Sequence, residues 1–132
     1  MKDYYNLKNK YKNSIALIKV GLFYNTYNED AIIIHNLTKY KLYNNNGIMC
    51  TSFTDKSIDL ILSRLRSLNV GYVVKTNKEV TRYVGKIDSY KELLNKANNE
   101  NKRAMLLINI NEFISRLEDI KLKELLKYLE RI

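Results

Sequence analysis

The chain has 132 residues, 45% hydrophobic and 28% charged, with a net charge of +9, a composition that suits one compact domain with a core. A single cysteine excludes an internal disulfide and a cysteine-cluster zinc site, and no apolar run is long enough to cross a bilayer. The N-terminal segment has no secretory hydrophobic stretch, so we expect a protein of the reducing cytoplasm.

The positive charge favours a polyanionic partner, because each phosphate that a lysine or arginine neutralises releases condensed counterions. A second interpretation is that the chain is simply rich in lysine, asparagine, isoleucine and tyrosine, as an AT-rich genome would make it. In that case the lysines form an ordinary solvated surface.

Hydrophobic periodicity predicts the following elements in chain order. They are a helix at 3–13, a strand at 15–20, a helix from 28 to 37, a hairpin of strands 39–43 and 48–53, a helix at 57–68, and strands at 71–75 and 79–87. A helix begins at residue 88 and meets a polar break at 98–102; the apolar run 104–110 fits strand or helix. Residues 111–132 predict one amphipathic helix, or two joined near Asp119.

Strands that alternate with helices, together with one hairpin, predict an α/β fold with a mixed β-sheet flanked by helices. We expect residues 1–100 to form the principal domain and residues 101–132 a C-terminal helical extension.

The chain carries Tyr-Asn-Leu-Lys-Asn-Lys-Tyr at residues 5–11, Gly-Leu-Phe-Tyr-Asn at 21–25 and Glu-Asp-Ala at 29–31. This series resembles the beginning of domain I of the MutS DNA-repair family. That family has a Tyr-x-x-Leu-Lys helix, an apolar strand ending in Gly-Asp-Phe-Tyr-Glu, and a helix beginning with Glu-Asp-Ala. Weaker similarities at 48–53, 57–68, 70–75 and 79–84 extend the resemblance over residues 4–87, roughly two thirds of the chain.

The resemblance implies a nucleic-acid surface around Phe23, Tyr24 and Asn25. In the family, the phenylalanine at the position of Phe23 enters the minor groove as a wedge and stacks on a mispaired base. The family's glutamate, which hydrogen-bonds the displaced base, is replaced by Asn25, and its aspartate is replaced by Leu22. These departures weaken the implied mismatch discrimination. Periodicity alone leaves another interpretation of Phe23 open, since an aromatic residue at a strand end is often part of the core.

Eight basic residues of the matching region either line a phosphate track or form a solvated surface. They are Lys8, Lys10, Lys12, Lys39, Lys41, Lys75, Lys78 and Arg82.

The sequence predicts no catalytic site, no metal site and no cofactor. The chain has a single histidine, His35, and Cys50 lies in a predicted strand with no second histidine to activate it as a nucleophile. The chain also lacks a phosphate-binding Gly-x-x-x-x-Gly-Lys loop. A metal-dependent nuclease would need a carboxylate cluster, and the spacing of the candidates fits no known motif: Asp55, Asp59, Glu79 and Asp88.

We therefore expect a non-catalytic accessory protein that binds DNA, RNA or an RNA–DNA hybrid. It would assist a polymerase, a reverse transcriptase of a mobile or diversity-generating element, or a repair enzyme. The alternative is a protein-interaction adaptor that has lost nucleic-acid reading. The C-terminal helix favours docking or homo-oligomers because its apolar residues fall on more than one stripe: Ile120, Leu122, Leu125, Leu126 and Leu129.

Overall fold

The computed structural model describes residues 1–116 and 119–130. Its elements are α1 (Lys2–Lys10), β1 (Ile15–Val20), β2 (Phe23–Tyr27), α2 (Asn28–Thr38), β3 (Tyr43–Asn45), β4 (Ile48–Thr54), α3 (Ile58–Ser67), β5 (Tyr72–Lys75), β6 (Val80–Tyr83), α4 (Ile87–Arg116) and α5 (Asp119–Glu130). A short 3-10 turn, Asp55–Ser57, lies between β4 and α3.

Within the described residues, six strands form one sheet in the order β3-β4-β2-β1-β5-β6. The central strands β1 and β5 are parallel, and every other neighbouring pair is antiparallel. The prediction of an α/β fold with a mixed sheet flanked by helices is confirmed.

The two faces of the sheet differ in how much helix covers them, because side chains alternate between the faces along each strand. The helix face packs against α2, α3 and α4, and it includes Ile15, Leu17 and Val74. The open face packs against α1, which covers Ala16 and Ile18 near the beginning of β1. Farther along the strands, Val20 and Phe23 on the open face are exposed to solvent, and Asn25 is half-buried.

A buried carboxylate, Asp30, joins four elements on the side of the molecule where β1 begins. Its Oδ2 accepts hydrogen bonds from the Tyr4 hydroxyl at 2.8 Å and from the backbone N–H of Ala16 at 3.0 Å. Its Oδ1 accepts from the Tyr90 hydroxyl at 2.7 Å and lies 3.2 Å from Nζ of Lys8. Burial raises the pKa of both tyrosines, and the adjacent carboxylate raises it further. These bonds tie α1, β1, α2 and α4 together.

Three strand boundaries differ from the sequence prediction. Residues 23–27 form β2, which we did not predict because Phe-Tyr-Asn-Thr-Tyr shows no alternation of apolar and polar residues and directly precedes a helix. The first hairpin strand is β3 at 43–45 rather than 39–43, because Lys39 adopts a left-handed conformation and Tyr40 packs on Phe53. The predicted strand 79–87 ends at Tyr83, and Ile87 already begins α4.

The predicted polar break at 98–102 is wrong, because α4 continues through it. Asn101 explains why: its Nδ2 donates to the backbone oxygen of Ala97 within the helix and to Oδ1 of Asn36 on α2. The ambiguous run 104–110 is helical, and the proposed division between residues 100 and 101 falls inside this helix.

The C-terminal segment is helical over Ile87–Arg116 (α4) and Asp119–Glu130 (α5), and the predicted junction near Asp119 involves residues 117–118, which lie outside the described part. Leu126 and Leu129 of the predicted apolar stripes are exposed. The side chains of Ile120, Leu122 and Leu125, and residues 131–132 altogether, lie outside the described part. None of the helices described is long and apolar enough to cross a membrane.

Candidate nucleic-acid interface

One end of the sheet, here called the turn edge, gathers three chain segments that are distant in sequence. They are the β1–β2 turn (Gly21 and Leu22), the end of β4 at Thr54, and the β5–β6 turn at residues 76–79. The register places them together, because Phe23 pairs with both Val20 and Thr54 and Lys75 pairs with Ile18. The tight β1–β2 turn relies on Gly21, whose φ of +61° is in the left-handed region.

Phe23 is exposed on the turn edge rather than buried in the core, with 49% of its surface accessible. Its neighbours Leu22 and Val20 are also exposed. Monomeric proteins rarely leave several large apolar side chains together in solvent without a binding role. The interpretation of Phe23 as a core residue is therefore wrong.

The Phe23 ring borders a cleft of about 480 Å³, which we call the apolar cleft. It is lined by Leu22, Phe23, Thr54, Asp55 and Lys56. An exposed aromatic ring beside an open cleft can stack on a planar ligand.

Asn25 lies on the open face, two residues after Phe23, and its amide is held in place by neighbours on the sheet. Its Oδ1 accepts a hydrogen bond from Oγ of Ser52 at 2.6 Å, and Ser52 in turn lies 2.7 Å from the Tyr43 hydroxyl. Burial raises the pKa of Tyr27, two residues farther along β2, and the nearby Asn25 side chain partly offsets that rise. Asn25 is thus oriented by the fold, with its amide oxygen already engaged.

Two of the predicted interface residues are used inside the fold. Tyr24 points to the helix face, where it is buried and stacks on Phe53 with ring centroids 5.7 Å apart. The ammonium of Lys8 contacts Asp30 and donates to the backbone oxygen of Ser14 at 2.7 Å. We leave both out of the candidate interface, since their polar and aromatic groups are committed to internal partners.

The other predicted basic residues do not form a single track. Lys39 and Lys41 precede β3 at one side of the sheet, whereas Lys75, Lys78 and Arg82 belong to β5, β6 and their turn at the other side. Lys75 pairs with Asp3 at 3.2 Å, and the guanidinium of Arg82 lies 4.4 Å from the ring centre of Tyr11.

Lys12 is exposed before the beginning of β1, roughly 20 Å from the turn edge at the usual rise per strand residue. The fold therefore separates it from Phe23.

Sequence reasoning missed two basic residues at the turn edge, Lys19 and Lys56. Lys56 lines the apolar cleft, and Lys19 lines a neighbouring cleft of about 270 Å³. Lys19 forms an ion pair with Asp55 at 3.1 Å. Lys56 comes near Phe23 through the pairing of β4 with β2, whereas Lys19 lies in β1 just before the turn and outside the motif at residues 21–25.

Within residues 1–116 and 119–130, no group of three or more histidine, cysteine, aspartate or glutamate side chains is placed to hold a metal ion. His35 Nδ1 lies 2.6 Å from the backbone oxygen of Tyr40, an intramolecular contact that orients its ring. Cys50 is buried, and its thiol donates to the Tyr43 hydroxyl at 3.3 Å.

The fold and the site together define an α/β domain whose mixed sheet presents an exposed aromatic ring at one end. Residues 1–86 match the family model of MutS domain I. The chain therefore belongs to the MutS domain I family and has a fold of the mismatch-recognition type, which confirms the resemblance seen in the sequence. Among curated proteins, none gives a significant match to this chain.

Proposed function

We propose that this chain is a non-catalytic nucleic-acid-binding accessory protein that contacts its ligand through the turn edge. The observation that carries the proposal is the exposure of Phe23, at 49%, beside an open apolar cleft. An aromatic ring in this position can insert at a weakly stacked base step, where the lost base stacking is offset by wider protein contact. The net charge of +9 supports the attraction of a phosphate backbone.

Mismatch reading of the repair type is not part of the proposal. Asn25 stands where the family has a glutamate, and its amide oxygen is engaged by Ser52 at 2.6 Å. Asn25 therefore offers a ligand N–H groups, whereas a carboxylate offers acceptors.

The test is binding of the full chain to labelled matched duplex, mismatched duplex and RNA–DNA hybrid at two salt concentrations. We expect weak binding that decreases steeply with salt, and a loss of roughly tenfold on at least one ligand for Phe23→Ala, as stacking contacts typically contribute. Phe113→Ala is the matched control, since Phe113 is exposed on α4. A parent protein whose binding ignores salt, or a Phe23→Ala variant that binds every ligand as well as the parent, contradicts the proposal.

We further propose that the protein works beside a nucleic-acid enzyme, such as a polymerase, a reverse transcriptase of a mobile or diversity-generating element, or a repair enzyme. A single small domain makes few phosphate contacts, so its residence on nucleic acid is brief unless a second protein tethers it. Co-purification after nuclease digestion tests this association. Recovery of the chain without any such enzyme argues against the association. A separate assay tests the non-catalytic role: metal-dependent cleavage of labelled DNA or RNA by the pure chain argues against it.

A second candidate is an adaptor role through the C-terminal helices. Leu106, Ile110 and Phe113 of α4 are exposed at helical spacing, and so are Leu126 and Leu129 of α5. A second copy of the chain is the occupant we propose, because each copy supplies two apolar helix stripes of the kind that pack in bundles. Light scattering after size exclusion tests it: a dimer that Phe113→Ala converts to a monomer supports this role, and a parent monomer at high concentration excludes it.

A further inference from the structure

The sheet ends on one side in β6, whose outer edge is free. Among the described residues, β6 pairs with β5 alone and makes no more than marginal contact with any other element. Its first three residues, Val80, Thr81 and Arg82, are exposed. The strand at the opposite side of the sheet, β3, is also contacted by α4. An uncovered edge strand is a template on which a further strand can pair.

The pairing of β5 with β6 determines which backbone groups of β6 are free. The backbone N–H of Thr76 donates to the backbone oxygen of Glu79 at 2.9 Å, so these two residues form a hydrogen-bonded pair. Such pairs alternate along an antiparallel ladder, so every second residue of β6 bonds to β5. Val80 and Arg82 are the residues between, and their N–H and C=O groups point outward. No hydrogen bond from the described residues reaches these four groups.

The usual means of protecting an edge strand are absent from β6. The chain contains no proline, and β6 pairs with β5 over four consecutive residues without a bulge. Arg82 is the one charged residue of the strand, and its guanidinium lies over the ring of Tyr11, 4.4 Å from the ring centre. The Arg82 side chain is thus drawn onto the open face, which leaves the backbone edge accessible.

The side chains along this edge alternate between apolar and basic. Val80, Arg82 and Val84 occupy every second position of the chain, and both valines are exposed. Arg82 forms no ion pair with a described residue. A guanidinium that lies flat on an aromatic ring keeps its N–H groups available to a carboxylate. A complementary strand therefore has an acidic residue between two apolar residues at the same spacing.

The charge around the edge selects the kind of partner. From Lys78 to Lys86 the chain has three basic residues and one acidic residue, Glu79. Lys75, on the neighbouring strand, is already paired with Asp3 at 3.2 Å and adds little. A second copy of the chain would bring two net charges of +9 together, which is unfavourable, whereas an acidic strand is attracted.

We propose that β6 is a docking edge for an acidic, extended segment of a partner protein, which adds to the sheet as an antiparallel strand. The backbone of the segment bonds to the free groups of Val80 and Arg82, a carboxylate side chain lies opposite Arg82, and apolar side chains lie opposite the two valines. β6 is three strand intervals from β2, about 14 Å at the usual spacing, so this edge is separate from Phe23. The inference therefore goes beyond the proposed function.

The test measures fluorescence anisotropy of a labelled peptide, Thr-Val-Thr-Glu-Thr-Val-Thr, with the full chain. We expect saturable binding at concentrations below about 1 mM. N-methylation of the central Glu removes the N–H that faces Arg82 and should weaken binding by roughly tenfold or more. N-methylation of the Thr that follows, whose N–H faces solvent, should change binding little.

Reversal of charge across the pair tests side-chain recognition. Arg82→Glu should weaken binding of the peptide by roughly tenfold, and it should bind a peptide with Lys in place of the central Glu more tightly than the parent does. Arg64→Glu is the matched control, because it makes the same charge change at an exposed position on α3. It should bind the original peptide as the parent does. Circular dichroism melts of both variants exclude unfolding, and the methylated peptides test the proposal on the unaltered chain.

The remaining outcomes decide against the proposal or separate it from nucleic-acid binding. Equal affinities for the two methylated peptides overturn strand addition, because attraction by charge alone does not depend on which N–H is present. A parent chain that does not bind the peptide also overturns it. A dimeric parent that the peptide converts to a monomer identifies a second copy as the occupant of β6 and overturns the acidic partner. Phe23→Ala should bind the peptide as the parent does, so the failure of peptide binding and the failure of the proposed function are distinguishable.

Discussion

Replacing Asp30 with asparagine should strongly destabilise the fold, because four donors converge on this buried carboxylate. They are the hydroxyls of Tyr4 and Tyr90, the backbone N–H of Ala16 and the ammonium of Lys8, all within 3.2 Å of a carboxylate oxygen. An asparagine has one acceptor oxygen and one NH₂ group, so its NH₂ must face a donor whichever way the amide is turned.

The magnitude follows from the geometry of these contacts. Asp30 is fully buried, whereas Lys8 keeps 19% of its side chain exposed, so the lysine can partly regain water when its partner is lost. Removal of one member of a buried ion pair typically costs about 3–5 kcal/mol. We expect a value near the lower end, about 3 kcal/mol, out of a total stability of about 5–15 kcal/mol.

Urea unfolding followed by circular dichroism measures this loss. With a slope of about 1–3 kcal/mol per molar urea, Asp30→Asn should lower the midpoint by roughly 1–3 M. Asp55→Asn is the control, since it breaks an exposed ion pair with Lys19 and should cost less than about 1 kcal/mol. If the two variants lose equal stability, the reasoning about Asp30 is refuted.

The other predictions concern alkaline pH, backbone packing and the two exposed phenylalanines. Burial raises the pKa of Tyr4 and Tyr90 above the ordinary 10.0. Above pH 10 the unfolded chain therefore loses protons that the folded chain retains. The free energy of unfolding should then fall by about 1.4 kcal/mol per pH unit for each tyrosine. Urea midpoints between pH 10 and 11 should fall less steeply for Tyr90→Phe than for the parent, because one of the contributing tyrosines is gone; an unchanged slope would contradict the assignment. Gly85→Ala should cost about 2–3 kcal/mol, because a Cβ there would collide with the backbone N of Gly71, while exposed Val84→Ala should change the urea midpoint little. Phe23→Ala should impair nucleic-acid binding without changing the oligomeric state. If Phe113→Ala gives the same results as Phe23→Ala in the binding assay and in light scattering, the turn edge and the C-terminal helices are not separate surfaces.

The sequence predicted most helices and strands because their apolar side chains repeat with the period of the element. The strand at residues 15–20 and the helix beginning at Asn28 are examples. The sequence prediction failed at β2, whose apolar and polar residues do not alternate along the sequence. It also failed at residues 98–102, where polar side chains indicated a break. Asn101 is compatible with a continuous helix only because Asn36, far away in sequence, accepts its hydrogen bond.

The candidate site shows the same division. The motif at residues 21–25 drew attention to Phe23 and Asn25, and residues 1–86 belong to the MutS domain I family. The motif also placed Tyr24 in the interface, where alternation along β2 instead turns it into the core.

The sequence by itself determined the fold class, the family and the position of Phe23, because these depend on local periodicity and on a short motif. Only the tertiary structure decided which lysines stand near that ring. Strand pairing brings Lys56 and Lys78 to the turn edge. Lys8 instead forms an ion pair with Asp30, and Lys12 lies at the far end of β1. Charge acts through space, so its role could be assigned only after the strands had been placed side by side.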